Sequence, residues 1–221
     1  MPFSEQTLDF LFENRMRDDR LWFNEHRPDY ERLVLEPLRQ LVSDMAPAML
    51  SIDSQLIVEP KVGKCISRIF RDTRFSHDKS IFRDVMWISF ERDKNYPGFY
   101  FEITPTSYSY GCGWYCATAK EADALHSLVL SGTPQFRAAQ EAFSKQSVFS
   151  FEGDRYKRPR HPEISGFKSE WLERRSPYIT VRDSDKAVLF SPDLARKLSD
   201  DFLSVADVYK FIIEAHAFSR V

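Results

Sequence analysis

Near Gln55 the apolar residues stop recurring every three or four positions and begin to alternate, which confines the chain to folds that combine helices with a sheet. Before that point Leu8, Leu11 and Phe12 fall on one helical face, and Leu38, Leu41, Val42 and Met45 form the stripe of a later helix. After it, Met86, Ile88 and Phe90 alternate with Trp87, Ser89 and Glu91, and Phe99, Phe101 and Ile103 alternate with Tyr100, Glu102 and Thr104. These are two half-buried strands. The turn signal Pro97-Gly98 joins them as an antiparallel hairpin, and Thr104 to Ser107 leads into a third strand bearing Tyr108, Tyr110 and Trp114.

Capping residues place the helices around this meander. Ser4 caps the first, with Phe3 and Leu8 at staple positions, and that helix ends near Arg15. Asp18 or Asp19 caps a short second helix carrying Trp22 and Phe23, and Pro28 suits the first turn of a third. Pro37 lacks a backbone donor, so it kinks that helix or begins another. Helices resume after Ala117 with Ala122, Leu125 and Val129, and Thr133-Pro134 opens one that runs to about Gln146. Gly153 to Pro162 is a polar, basic loop, Tyr178 to Arg182 a strand, Ser191-Pro192 the start of a helix with Leu194, Leu198 and Phe202, and Val205, Val208 and Ile212 mark a final helix. The expectation is one α+β domain over residues 1–221, a central antiparallel meander flanked by N-terminal and C-terminal helices, with no internal repeat.

Composition narrows the class. No apolar run approaches the roughly 18 residues of a membrane span, so no membrane partner is expected. The start MPFSEQTLDF has acids where a signal peptide carries bases, and three cysteines (Cys65, Cys112 and Cys116) are too few for a disulfide framework, which together point to the cytoplasm. A net charge of -2 speaks against a surface built as a whole for nucleic acid. A local nucleic-acid patch is compatible with that charge and is not favoured.

The segment Arg68 to Arg83, RIFRDTRFSHDKSIFR, holds five cations (Arg68, Arg71, Arg74, Lys79, Arg83) against two acids (Asp72, Asp78), set among Ile69, Phe70, Phe75, Ile81 and Phe82. Guanidinium forks suit phosphate and carboxylate, and the surplus calls for an anion from outside or from the protein's own acids. Asp84, Glu91 and Glu102 are the acids available for an internal network. The expected site is an anionic, phosphate-bearing small ligand held by Arg68, Arg71, Arg74 and Lys79, with Asp72 and Asp78 orienting those cations. An enzyme using the same cluster to stabilise negative charge would take Glu102 or Asp78 as acid or base. A third alternative is an interaction module in which the cluster is an internal clamp.

The run Arg68-Ile-Phe-Arg71-Asp72-Thr-Arg74-Phe75-Ser76-x-Asp78-Lys79, preceded upstream by Trp22-Phe23, His26-Arg27 and Tyr30, resembles the signature of the family called domain of unknown function 2461. The resemblance runs from about Phe3 to Phe218 and is diffuse after Trp114. The chain departs from the family pattern at Ile81-Phe82-Arg83, where the pattern has Pro-Tyr-Lys, and at Gly111-Cys112-Gly113, where it has consecutive glycines. What the resemblance implies is a soluble α+β domain of unassigned activity.

Other motifs have plain readings. Ser76-His77-Asp78-Lys79 fits S-x-x-K, but no S-D-N or K-T-G accompanies it, and Ser76 is expected in a local turn bond. Cys112 and Cys116 are expected to be buried and inert, and Gly111 and Gly113 beside Tyr115 to leave a shallow depression for a ligand or a packed helix. Trp87, Tyr100, Glu102 and Tyr115 are expected on the second face of the sheet, under a covering layer. Arg155, Lys157, Arg158 and Arg160 form a second basic patch, expected to be solvated. Neither a Walker loop, a dinucleotide fingerprint nor H-E-x-x-H occurs, and His26, His77, His126, His161 and His216 show no metal spacing, so no cofactor and no metal are implied.

Overall fold

The computed structural model describes residues 3–74, 76–93, 96–114 and 116–220. Phe75 and Tyr115, both used in the sequence reading, lie outside the described residues. In chain order come α1 (Glu5–Arg17), α2 (Arg20–Glu25), α3 (Arg27–Tyr30), a π-helical turn (Glu31–Leu35), α4 (Glu36–Ile52), β1 (Met86–Glu91), β2 (Gly98–Ile103) and β3 (Tyr108–Gly113). There follow α5 (Ala119–Ser131), α6 (Pro134–Ser144), β4 (Ser150–Glu152), α7 (Phe167–Leu172), β5 (Tyr178–Asp183), α8 (Lys186–Leu189), α9 (Leu194–Ser204) and α10 (Ala206–Phe218). The fold is α+β, with a five-stranded antiparallel sheet of order β1-β2-β3-β5-β4. Among the described residues no helix is long and apolar enough to cross a membrane.

The chain divides into two compact units. The first comprises Met1–Phe90, Tyr100–Tyr110 and Arg182–Ser199, the second Glu91–Phe99, Gly111–Val181 and Asp200–Val221.

In the first unit α1 buries Thr7, Leu8, Phe10, Leu11 and Asn14. Phe12, expected on this face, is 56% exposed, because Phe10 and not Phe12 turns inward beside Leu11. Asp19 caps α2, its carboxylate accepting from the backbone N–H groups of Leu21 at 2.6 Å and Trp22 at 3.4 Å. Of the two expectations for Pro37, the second holds: it begins a new helix. It sits in the first turn of α4, and the π-helical turn before it absorbs the missing donor: Glu36 N–H bonds five residues back to Glu31. Leu33, whose carbonyl would meet residue 37 in an α-helix, instead accepts from the Thr7 hydroxyl at 2.9 Å. Leu38, Leu41, Val42, Met45 and Met49 are each at most 1% exposed, and burying such a side chain contributes about 1.5–3 kcal/mol. The alternation in β1 and β2 holds, with Met86, Ile88, Phe90, Phe101 and Ile103 all fully buried.

The second unit is built on rings. Phe136 meets Phe211 at 5.2 Å between centroids, Trp171 meets Phe211 at 5.2 Å and Phe151 meets Trp171 at 5.1 Å. Thr118 and Glu121 form a capping box on α5, which Gly132 ends in the left-handed region at φ 65°. β4 pairs with β5 through Ser150 and Thr180, Phe151 and Ile179, and Glu152 and Tyr178. No depression lies at the glycines: a β-carbon on Gly111 would strike the Ile179 carbonyl and one on Gly113 would strike Tyr178. Their missing side chains let β5 approach. Cys112 is buried, and burial pushes its thiol pKa up, whereas Cys116 is exposed, contrary to expectation, because β3 ends at Gly113 and the alternation ends with it.

Candidate functional site

The basic segment folds as an arm of paired backbone leading into β1. Ile66 bridges Ile88, and further out Phe70 bridges Phe82, both antiparallel. Around the second bridge Arg71 N–H donates to the Ile81 carbonyl and Arg83 N–H to that of Ile69, each at 2.9 Å. The rings of Phe70 and Phe82 are 5.1 Å apart, and Phe23 of α2 packs on both, at 5.6 and 4.8 Å. Phe82 is fully buried while Phe70 is 46% exposed. The two separate blocks of the sequence pattern, Trp22 to Tyr30 and Arg68 to Lys79, therefore meet within the first unit. Tyr30 closes the cluster against Phe23 at 5.3 Å, and burial pushes its phenol pKa up.

At the outer end of the arm Asp78 gathers two arginines. Its Oδ2 accepts from Arg15 Nη2 at 3.0 Å and lies 3.2 Å from Arg71 Nη2, while Oδ1 accepts from Ser80 N–H at 2.9 Å and Ser80 Oγ at 2.7 Å. The Ser80 hydrogen bonds first, and the two guanidiniums after them, lower the Asp78 pKa to about 2. Asp72 holds Arg74 through both carboxylate oxygens, and these bonds lower its pKa to about 2 as well. This pair is exposed, with Arg74 at 76%. Lys79 Nζ donates to the Thr73 carbonyl at 2.8 Å. Arg83 lies over the Trp87 ring at 4.8 Å and donates to the Phe70 carbonyl. Arg68 is exposed beside Gly63 and makes no ion pair among the described residues.

The structure thus brings Arg71, Asp78 and Ser76 together, with Ser76 Oγ 3.5 Å from Arg71 Nη2, and sets Arg74 with Asp72 as a separate surface fork. Glu102 lies elsewhere in its bonding: among the described residues its carboxylate meets only the Ser109 hydroxyl, at 3.3 Å. Sequence reasoning missed Arg15, Asp18 and Ser80. Asp18 Oδ1 accepts from both Ile81 N–H (2.7 Å) and Phe82 N–H (3.0 Å), fixing the arm to the end of α1. Ser80, two residues after Asp78, was the one of the three that local turn chemistry signals. Among the described residues, both amide atoms of Asn14 in α1 and Nε of Arg71 are buried without a hydrogen-bond partner.

Two of the four cations of the basic loop in the second unit meet acids. Arg155 pairs with Glu170 at 3.0 Å and Arg160 with Asp123 at 3.3 Å, and Arg160 stacks on Tyr156 at 4.0 Å. Among the described residues no three His, Cys, Asp or Glu side chains gather as a metal site.

No curated protein matches the chain. A family does: the pattern described as "Conserved hypothetical protein (DUF2461)" fits residues 6–211, a span that takes in α1, the arm and the sheet. With nearly its whole length matched, the chain belongs to the DUF2461 family.

Proposed function

We propose that the chain binds a small anionic, phosphate-bearing ligand at the arm and the adjoining turn of α1. Arg15 and Arg71 supply the central charge, Arg68, Arg74 and Lys79 add cations from the same segment, and Asp72 and Asp78 orient the cations they pair with. The observation that carries the reading is the convergence of two guanidiniums, from α1 and from the arm, on one oxygen of a half-exposed carboxylate. Two positive charges there share one negative charge, and each guanidinium keeps N–H donors for a second anion. The three cysteines are free thiols, which supports a reducing, cytoplasmic setting.

A thermal-shift series tests the reading, run against phosphate, sugar phosphates, nucleotides, dicarboxylates and short single-stranded oligonucleotides at low and high salt. A ligand at about 100 times its dissociation constant stabilises the native state by about 2.7 kcal/mol. Arg71→Ala is expected to lose the shift. Arg74→Ala, which removes only an exposed pair, is expected to leave the melting temperature of the free protein unchanged and to weaken the shift in part. The reading fails if no anion shifts the wild-type protein, or if Arg71→Ala responds as wild type does. One observation favours a second reading, an internal clamp: Asp78 already accepts three hydrogen bonds and pairs with Arg71 at 3.2 Å besides, close to the full capacity of a carboxylate. Under the clamp, Arg71→Ala loses stability equally with and without every anion.

A further inference from the structure

The three most exposed large apolar side chains among the described residues are Leu21 at 73%, Met16 at 68% and Phe12 at 56%, and all fall between residues 12 and 21. Single exposed apolar residues are ordinary, and the others are scattered along the chain from Leu50 to Phe218. Phe12 and Met16 are not single. One helical turn apart, they line a shallow, open depression along α1 together with Asp9, Glu13 and Arg17, at the spacing of one helix face. The other side of the helix, with Leu8, Leu11 and Asn14, is turned into the core. Charge runs along the exposed face with a direction. Asp9 lies one turn before Glu13 and Arg17 one turn after it, each about 6 Å along the axis. Asp9 makes no ion pair or side-chain hydrogen bond among the described residues. Arg17 spends Nε and Nη2 on Glu13 Oε1, at 2.9 and 2.8 Å, which leaves Nη1 for another acceptor.

We propose that this face of α1 pairs with the same face of a second copy of the chain, antiparallel about a two-fold axis at Glu13, in a weak and reversible dimer. An isologous interface has to be complementary to itself, and a two-fold at Glu13 sets each Asp9 level with Arg17 of the other copy. Phe12 then comes within about 3 Å, along the axis, of the other copy's Met16, so the apolar pair of one copy covers that of the other. The two Glu13 carboxylates meet near the axis, each already held by Arg17 of its own chain. A partner of uniform charge would match one end of the face and repel the other, and a parallel pairing would set like charge against like. The size of the face sets the strength. α1 has 13 residues and is about 20 Å long, so one of its faces buries less than the roughly 1,200 Å² in total below which complexes are transient.

Sedimentation velocity at low salt tests this, from about 5 to about 500 µM protein, the range in which interfaces of that class associate. Wild type is expected to move from monomer toward dimer and no further. A monomer throughout, or a mass beyond the dimer, overturns the proposal. Met16→Lys changes a side chain exposed in the monomer, and it is expected to keep the wild-type melting temperature while weakening dimerisation at least about tenfold. Asp9→Arg and Arg17→Glu separate this pairing from any other. Each alone sets like charges opposite one another at both ends and is expected to weaken the dimer at least about tenfold. Mixed one to one, the two variants restore both pairs with the charges exchanged, and the mixture is expected to regain the dimer. Wild-type dimerisation by Met16→Lys or by either charge variant alone, or a mixture that stays monomeric, overturns the proposal.

Discussion

At φ 47° and ψ 37°, Asp18 ends α1 in the left-handed region, which a side chain occupies at a cost of about 1 kcal/mol or more and which Asn and Asp tolerate best. Its carboxylate then satisfies the two N–H groups that begin the return strand of the arm. Asp18→Asn keeps both the conformation and an acceptor oxygen and is expected to stay within about 1 kcal/mol of wild type. Asp18→Ala strains the turn and strips both N–H groups, with an expected loss of about 2–3 kcal/mol in denaturant unfolding. The sequence reading had Asp18 only as an alternative cap for α2. That is as far as local chemistry reaches: the bonds to Ile81 and Phe82 span 63 and 64 residues, and a single acid at such a distance leaves no periodic trace. The cationic half of the candidate site was legible because charge surplus is a local property. Its partner Arg15 looked like an ordinary cation at a helix end.

Elements were readable where they are long enough to show a period. β1, β2, β3 and β5 have six residues each and α4 has seventeen, whereas β4 has three, α7 six and α8 four, less than two turns of any helix. The π-helical turn before α4 was half-readable, since Pro37 announced a disturbance but not its remedy. That remedy predicts a coupling between α1 and α4. Thr7→Val removes the hydroxyl that serves the Leu33 carbonyl and is expected to cost about 1–2 kcal/mol. Pro37→Ala restores a backbone donor at the position from which an α-helix would serve the same carbonyl. In that background Thr7→Val is expected to cost less by at least about 0.5 kcal/mol, and a double-mutant cycle by denaturant unfolding measures the difference. Strict additivity would show that the two groups do not compete for Leu33.

Over the whole molecule the two units respond differently to acid. In the second, His216 is buried with Glu121 Oε1 3.1 Å from its Nδ1 and the rings of Tyr96 and Trp114 around it. Burial lowers the His216 pKa below its usual 6.5, and Glu121 only partly offsets this against the additional push of Arg220 and Arg92. The Glu121 pKa is lowered from 4.5: burial opposes this, but the Thr118 hydrogen bonds, His216 and Arg220 outweigh it. Both groups bind more protons unfolded than folded, so the second unit loses stability as pH falls below about 6.5 and again below about 4.5. In the first unit Asp78 falls from 3.8 to about 2, so its contribution is complete above about 3.8 and disappears only as pH nears 2. Protection of the amides, taken relative to the intrinsic exchange rate at each pH, is therefore expected to fall in α5 and α10 from pH 7 to 4 while the arm keeps its protection, and His216→Gln is expected to blunt the effect. An equal loss of protection in both units would refute that separation. The division into units also has a consequence for synthesis. Each unit is assembled from three stretches of chain, and the first is complete only once residues 182–199 have been made, about a hundred residues after β1. A ribosome emits the arm, its arginines and its exposed Phe70 seconds before the segment that finishes their unit. The nascent chain thus waits with a charged, half-built face, and no fragment that stops short of residue 199 carries the whole of the unit to which the arm belongs.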